Sequence, residues 1–308
     1  MKDLSENDLK NNIPLCSVAG EKRPVQVGNT EVGGKTLSVM AGPCTVESRD
    51  QVFAIAQAVK AAGATLLRGG VFKPLTFPYG DPLLLSDAGS GGEDLPRTRI
   101  LSKKEVLERA EPRFVYFAEA GKSVGLPIVS EPTFAEAIDL MEPYADMYQV
   151  GYRSMFNMDL LYRLCESDKP VLLKRHAGES IRSLLGMVEH FYARGKKNLV
   201  ICERGVAVPH THNVSSRAIL DIQAIVALNE YAPTIPVIAD PSHSTFKRSY
   251  VCAMSRAAIA AGADGLLIDV HPDPEHAWVD PLQALNFEMF GQLMTDLRTI
   301  APAVGRTL

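Results

Sequence analysis

Residues 37–70 read LSVMAGPCTVESRDQVFAIAQAVKAAGATLLRGG. A short apolar run, Leu37–Met40, gives way to the polar turn AGPC. The helical pattern QVFAIAQAVKAAG follows, and a second apolar run, Leu66–Arg68, closes the unit. Strand, helix, strand is the unit that joins two parallel strands through a covering helix. Working outward, the same alternation recurs. Apolar runs lie at Pro127–Ser130, Met147–Val150, Val171–Lys174, Leu199–Cys202, Val237–Ala239 and Gly265–Ile268. Helical patterns separate them, among them FAEAIDLMEPYA, IRSLLGMVEHFYARG and RAILDIQAIVALNEY. Eight such runs predict an α/β chain closed into a (β/α)8 TIM barrel rather than an open doubly wound sheet. No GxGxxG follows a strand and no GxxxxGK[ST] occurs, so the nucleotide-binding folds lack their usual signal.

Upstream, PVQVGNTEVGGKTL alternates apolar and polar residues around Gly28-Asn29, the pattern of an N-terminal β-hairpin extension. Residues 1–22 show no clear period and are expected to form an arm or to be partly disordered. Residues 23–308, hairpin included, are expected to form one barrel domain. The segment from Gly80 to Lys104 is too long for an ordinary βα connection. Lying after the second strand, it is expected to be a mobile loop over the C-terminal face, where barrels carry their chemistry.

At 308 residues with 46% hydrophobic and 22% charged side chains, the chain can bury a sizeable core. A formal charge of -4 leaves no basic excess for general nucleic-acid binding. No run reaches the length of a membrane span. The polar start, MKDLSENDLK, reads as neither signal nor transit peptide. Five scattered cysteines without a CxxC pair fit a reducing cytoplasm.

The ends of the apolar runs carry the candidate chemistry: AGPC (Cys44), RGGVFKP (Arg68, Lys73), SEP (Glu131), QVGYR (Arg153), LLKR (Lys174, Arg175), CERG (Glu203, Arg204), DPSH (His243) and IDVHPDP (Asp269, His271). Gathered at one mouth, Arg68, Lys73, Arg153, Lys174 and Arg204 would repel one another unless a small multiply charged anion sat among them. Arginine forks suit phosphate or carboxylate. Cys44, His243, Asp269 and Asp280 make a mixed soft and hard donor set for a divalent ion such as Mn, Fe, Co or Zn. The bland alternatives are surface ion pairs for the cations, and a core cysteine with helix-capping carboxylates for the second set.

The strings AGPCTVES, RGGVFKPLTFPY, QVGYR, PVLLKR, CERG, PVIADPSHSTFKR and ADGLLIDVHPDP resemble, in this order, the 3-deoxy-D-arabino-heptulosonate 7-phosphate (DAHP) synthases. More narrowly, they resemble the short single-barrel branch related to 3-deoxy-octulosonate 8-phosphate synthase. The resemblance implies a shikimate-pathway transferase that condenses phosphoenolpyruvate (PEP) with an aldose or aldose phosphate, needs a divalent metal, and assembles as a homodimer or homotetramer. It implies that Arg68 and Lys73 hold the PEP carboxylate, with Pro74 and Thr76 of the same motif at the substrate. Arg153, Lys174 and Arg204 would hold its phosphate, and Glu131 would sit by the attacking water. Cys44, His243, Asp280 and, at the position of a family glutamate, Asp269 would hold the metal. The catalytic set is then Lys73, Glu131, Lys174 and His243, with Asp240 in support. A Schiff-base aldolase acting through Lys174 is the other chemistry a strand-end lysine allows.

The acceptor side departs from the family. Leu75 replaces the arginine of the KPRT motif, which would bind the phosphate of erythrose 4-phosphate. His176-Ala177-Gly178 and the segment 206–217 replace small, hydroxyl and basic residues. An altered aldehyde is one reading; a new phosphate grip from Arg97 and Arg99 is another. An octulosonate- or neuraminate-type synthase with a longer sugar acceptor, and a non-catalytic anion-binding barrel, are the competing functions.

Overall fold

Eight parallel strands close into a barrel in the computed structural model, which describes residues 6–86, 93–209 and 218–308. A separate hairpin, β1 (Val25–Val27) and β2 (Thr30–Val32), turns at Gly28-Asn29. The barrel strands are β3 (Ser38–Gly42), β4 (Leu66–Arg68), β5 (Ile128–Ser130), β6 (Met147–Val150), β7 (Val171–Lys174), β8 (Leu199–Glu203), β9 (Val237–Ala239) and β10 (Gly265–Asp269). β10 pairs with both β3 and β9, which closes the ring. The helices outside it are α2 (Arg49–Ala62), α3 (Lys103–Val124), α4 (Ala137–Met141), α5 (Met158–Glu166), α6 (Ile181–Ala193), α7 (Ile222–Tyr231), α8 (Pro241–Thr245), α9 (Arg248–Ala260) and α10 (Phe287–Ile300). They follow α1 (Glu6–Asn12) of the arm. Two helices differ from the sequence pattern. α4 is short because Pro143, which follows Glu142, has no N–H to carry the helical hydrogen bonds further. α7 starts late because the Asp221 side chain caps it, accepting from the Ala224 N–H.

Successive strand residues face opposite ways, so each strand feeds two cores. Val39, Ala41, Leu67, Leu173, Ile201 and Ile268 pack outward against the helices. Met40, Leu66, Val129, Met147, Leu172, Val200, Cys202, Ile238 and Leu267 point inward and meet Val25, Val27 and Val32 of the hairpin. The hairpin therefore plugs the N-terminal end of the barrel, each buried valine contributing roughly 1.5–3 kcal/mol. Two residues further along the same inward rows stand Gly42, Arg68, Glu131, Gln149, Lys174, Arg204, Asp240 and Asp269. The apolar interior thus ends in a polar top layer by the period of the strand alone.

The described part of the arm packs on the barrel. Ile13 and Cys16 are buried, and the backbone N–H groups of Leu15 and Cys16 both donate to the Glu189 carboxylate of α6 at 3.0 Å. The Gly80–Lys104 excursion contains a short turn over Pro82–Leu84, capped by Asp81. It is tied to α3 by Arg109 and Arg113, which donate to carbonyls of residues 82–85. Residues 87–92 of that excursion, and residues 210–217 after Arg204, lie outside the described part. No helix among the described residues is long and apolar enough to cross a membrane.

Candidate active site

A cavity of ≈ 250 Å³ opens at the C-terminal end of the barrel. Cys44, Arg68, Lys73, Pro74, Thr76, Glu131, Arg153, Lys174, Arg204, His243 and Asp280 all line it. Asp240 and Asp269 lie directly beneath, fully buried. Strand alternation sorts the charged pairs that end β7 and β8. Lys174 and Arg204 face in. Arg175 and Glu203 face out and bond each other at 2.9 Å, with Asp221 at 3.0 Å from Arg175. His271 is also outside the cavity, 3.3 Å from Glu47.

Three donors gather at one wall. Cys44 Sγ is 4.0 Å from His243 Nε2 and 3.3 Å from Asp280 Oδ2, and His243 Nε2 is 3.8 Å from Asp280 Oδ2. An ion with bonds of about 2.0–2.3 Å in tetrahedral array sets its donors roughly 3.3–3.8 Å apart, so the cluster fits one divalent ion. Local sequence explains how the donors are aimed. In DPSH, Asp240 caps α8 by accepting the His243 N–H at 3.0 Å, with Pro241 at the first helical position. That turn brings the imidazole back over the carboxylate, with Nδ1 3.0 Å from Asp240 Oδ2. Nδ1 therefore carries the hydrogen and Nε2 faces Cys44 and Asp280, the orientation a metal-binding histidine needs. Asp280 has φ 53, a left-handed conformation that costs a non-glycine residue about 1–3 kcal/mol. Arg248 pins the following loop through the carbonyls of Pro281, Leu282 and Ala284. On the other side Glu47 accepts from the Trp278 N–H at 2.8 Å.

Burial disfavours the charged form of His243, but Asp240 and Asp269 more than offset it and raise its pKa to about 9. Burial likewise works against Asp240, yet His243 and Lys174, 2.6 Å away, hold it well below the usual carboxylate range. A divalent ion at Nε2 would stand where the second imidazole proton sits. Asp269 is not in the donor cluster: it pairs with Arg68 and accepts from Gln283 Nε2.

The opposite wall is cationic. Two guanidinium groups lie against Tyr152, Arg204 at 4.1 Å and Arg153 at 5.0 Å from its ring centre. Arg153 donates to the Pro74 carbonyl and the Thr76 hydroxyl, both at 2.8 Å. Arg204 is buried, and no carboxylate pairs with it or with Arg153 among the described residues. Lys73 donates to the Cys44 carbonyl and lies 3.2 Å from its sulfur. Between the walls, Glu131 Oε2 accepts from Gln149 at 2.7 Å, while the buried Oε1 has no partner among the described residues. Buried carboxylate oxygens are rarely left bare, so Oε1 is poised for a water or substrate proton.

Sequence reasoning took only Arg153 from QVGYR. Gln149, Gly151 and Tyr152 were missed, although Gln149 could be found by counting two inward residues from Met147. Gly151 matters for space. A Cβ there would stand 1.9 Å from Glu131 Oε1. Gly151→Ala is expected to push Glu131 off Gln149 and lower kcat about 10²-fold, the scale of a 1 Å misplacement. Steady-state kinetics against a thermal melt would check it; unchanged kcat would show that the Glu131 position is immaterial.

Leu75, Pro82, Phe246 and Val279 form the apolar rim. Arg99 bonds Glu105 beside the Ser102 cap of α3, and neither it nor Arg97 lines the cavity. The new phosphate grip suggested for these two arginines is not formed in this structure.

The profile of the DAHP synthetase I family matches residues 19–89 and 93–302. The chain is 33% identical over 285 residues to the phospho-2-dehydro-3-deoxyheptonate aldolase of Thermotoga maritima, covering 92% of this chain and 76% of that protein. It is 29% identical over 285 residues to the 2-dehydro-3-deoxyphosphooctonate aldolase of Nitrobacter hamburgensis, covering 89% and 91% of the two chains. Among solved structures, a truncated form of the Thermotoga maritima DAHP synthase superimposes with a TM-score of 0.77 at 31% identity, over 93% of this chain and 95% of that one.

Proposed function

Because this chain belongs to the DAHP synthetase I family, we propose that it condenses PEP with an aldose acceptor and water, releasing phosphate and a 3-deoxy-2-ketoulosonate. The observation that carries this reading is one cavity holding two guanidinium groups, without a carboxylate partner among the described residues, opposite a Cys–His–Asp donor cluster. The first suits a phosphorylated anion and the second a divalent ion.

Arg153 and Arg204, with Lys174, hold the PEP phosphate and stabilise the charge that gathers on it as the C2–O bond breaks. Arg68 and Lys73 hold the carboxylate. C3 of PEP forms the bond to the aldehyde carbon, and water adds to C2. Glu131, bare at Oε1 among the described residues, orients that water and takes its proton, which balances the one the aldehyde oxygen gains as it becomes a hydroxyl. Collapse of the resulting hemiketal phosphate expels inorganic phosphate and leaves the 2-keto acid. Cys44, His243 and Asp280 would hold the metal, which would supply Lewis-acid polarisation of the aldehyde when bound. One thiolate among nitrogen and oxygen donors suits Mn, Fe, Co or Zn. Lys174 is engaged by Asp240 at 2.6 Å, which disfavours the Schiff-base alternative.

The rim supports an acceptor other than erythrose 4-phosphate. Leu75 stands in the cavity wall, where the family motif would place a cation. The test is phosphate release and product mass from PEP with erythrose 4-phosphate and with a panel of neutral and longer aldoses, in each metal. Fast turnover with erythrose 4-phosphate would overturn the altered acceptor; no turnover with any aldehyde would overturn the synthase. Exposed Phe77, Tyr79, Ile100 and Phe156 on the loops of this face support a homo-oligomer, which mass photometry would size.

A further inference from the structure

We infer that Asp269 is a positioning residue for Arg68 rather than a metal ligand, so that the protein offers the ion three donors, Cys44, His243 and Asp280. The inference rests on the metal-dependent reading above and deepens it.

The barrel register creates the pairing. Asp269 ends β10 directly beside Gly42 of β3, and β4, which carries Arg68, is the next strand round. A Cβ at residue 42 would lie 2.0 Å from the Arg68 carbonyl oxygen, so glycine is required there by close approach of the chains. With no side chain on the intervening strand, Arg68 reaches across to Asp269. Both carboxylate oxygens are then used. Oδ1 accepts from Arg68 Nη1 and Oδ2 accepts from Gln283 Nε2. The Asp269 backbone is fixed as well: its N–H donates to Ser242 Oγ at 3.0 Å, and its carbonyl accepts from the Leu285 N–H at 2.9 Å.

The carboxylate also lies on the wrong side of the imidazole. Asp269 Oδ2 is 3.7 Å from His243 Nδ1, the nitrogen that faces Asp240, while Cys44 and Asp280 gather at Nε2. Turning Asp269 toward an ion at Nε2 would strip the counter-ion from a buried guanidinium, an arrangement proteins avoid. In the paired state Arg68 is held by Nη1 alone, between Asp269 and the Pro43 carbonyl. Its Nε and Nη2 carry no hydrogen bond among the described residues, and the side chain lines the cavity. Asp269 therefore fixes which edge of the fork meets an anion. Gln283, fully buried, holds Asp269 in turn.

The test separates metal affinity from PEP affinity. Cobalt(II) titration of the metal-stripped protein is followed by the thiolate-to-cobalt absorption band, and PEP binding by calorimetry. Asp269→Asn is expected to keep cobalt affinity within about threefold of wild type, whereas Cys44→Ser and Asp280→Asn weaken it at least ~100-fold. Asp269→Asn is expected to weaken PEP binding ~10- to 100-fold, as loss of an orienting partner does. A loss of cobalt affinity in Asp269→Asn equal to that in Asp280→Asn, or unchanged PEP affinity, overturns the inference. If that variant does not fold, a crystal structure of cobalt-loaded wild type decides. An Asp269 oxygen beyond about 3 Å from the ion supports the inference, and one at ligand distance, about 2.0–2.2 Å, overturns it. Wild type that takes up no cobalt would instead overturn the metal reading on which this rests.

Discussion

Cys44→Ser, or removal of divalent ions with a chelator, is expected to lower kcat about 10³-fold, some 4 kcal/mol of barrier. The cluster of Cys44, His243 and Asp280 leaves little room for a smaller effect. Serine keeps its proton at neutral pH and offers a harder oxygen, so the substitution removes the one soft anionic donor. His243 and Asp280 remain, but two donors hold an ion poorly. The stripped wild type should recover when Mn, Fe, Co or Zn is returned, and the serine variant should not. Thermal melts serve as the control, since Cys44 is a small side chain at the edge of the interior and its replacement should leave the fold intact. Full turnover by metal-free protein would show that the donor cluster is not part of the chemistry.

The second large effect is expected at Arg204. It is buried against Tyr152 and lacks a carboxylate partner among the described residues. Arg153 stacks on the same ring. A buried cation with another nearby and no counter-ion is unfavourable in the empty protein and favourable once a phosphorylated anion arrives. Arg204→Met is therefore expected to leave the Tm of the free protein unchanged or raise it. The same change should cut kcat/KM for PEP by roughly 10²–10³, about 3–4 kcal/mol. Opposite signs in stability and catalysis are the signature of a side chain kept for its ligand. Arg204→Lys should rescue only part, because a point charge cannot reproduce the two-pronged contact. Added PEP should raise the wild-type Tm more than that of Arg204→Met. A variant that is merely destabilised, with PEP kinetics intact, would place the phosphate elsewhere.

How the site emerges from the chain can be followed strand by strand. β7 reads VLLK and β8 reads LVICE, and in both the inward residues alternate with outward ones until an inward position is charged, Lys174 at the end of β7 and Arg204 just past the end of β8. Lys174 and Arg204 were legible for that reason. Arg175 and Glu203 look equally chemical in the sequence, and only the register shows that they face the helices and neutralise each other. Gln149 can be placed at the mouth by counting along its strand, but that it bonds Glu131, and that Gly151 leaves room for that carboxylate, is visible only when the strands are side by side.

The sequence by itself determined the barrel, its N-terminal hairpin and the polar layer at its mouth. These follow from hydrophobic period, from turn residues and from motifs such as DPSH, all of which act over a few neighbouring positions. Tertiary structure decided which partners meet. Asp269 and Arg68 are 201 residues apart, and Cys44 and Asp280 are 236 apart. Their distances depend on how closed strands stagger around the ring, and on Gly42 leaving a gap between two of them. Local pattern states which way a side chain points; the closure of the ring determines what it finds there.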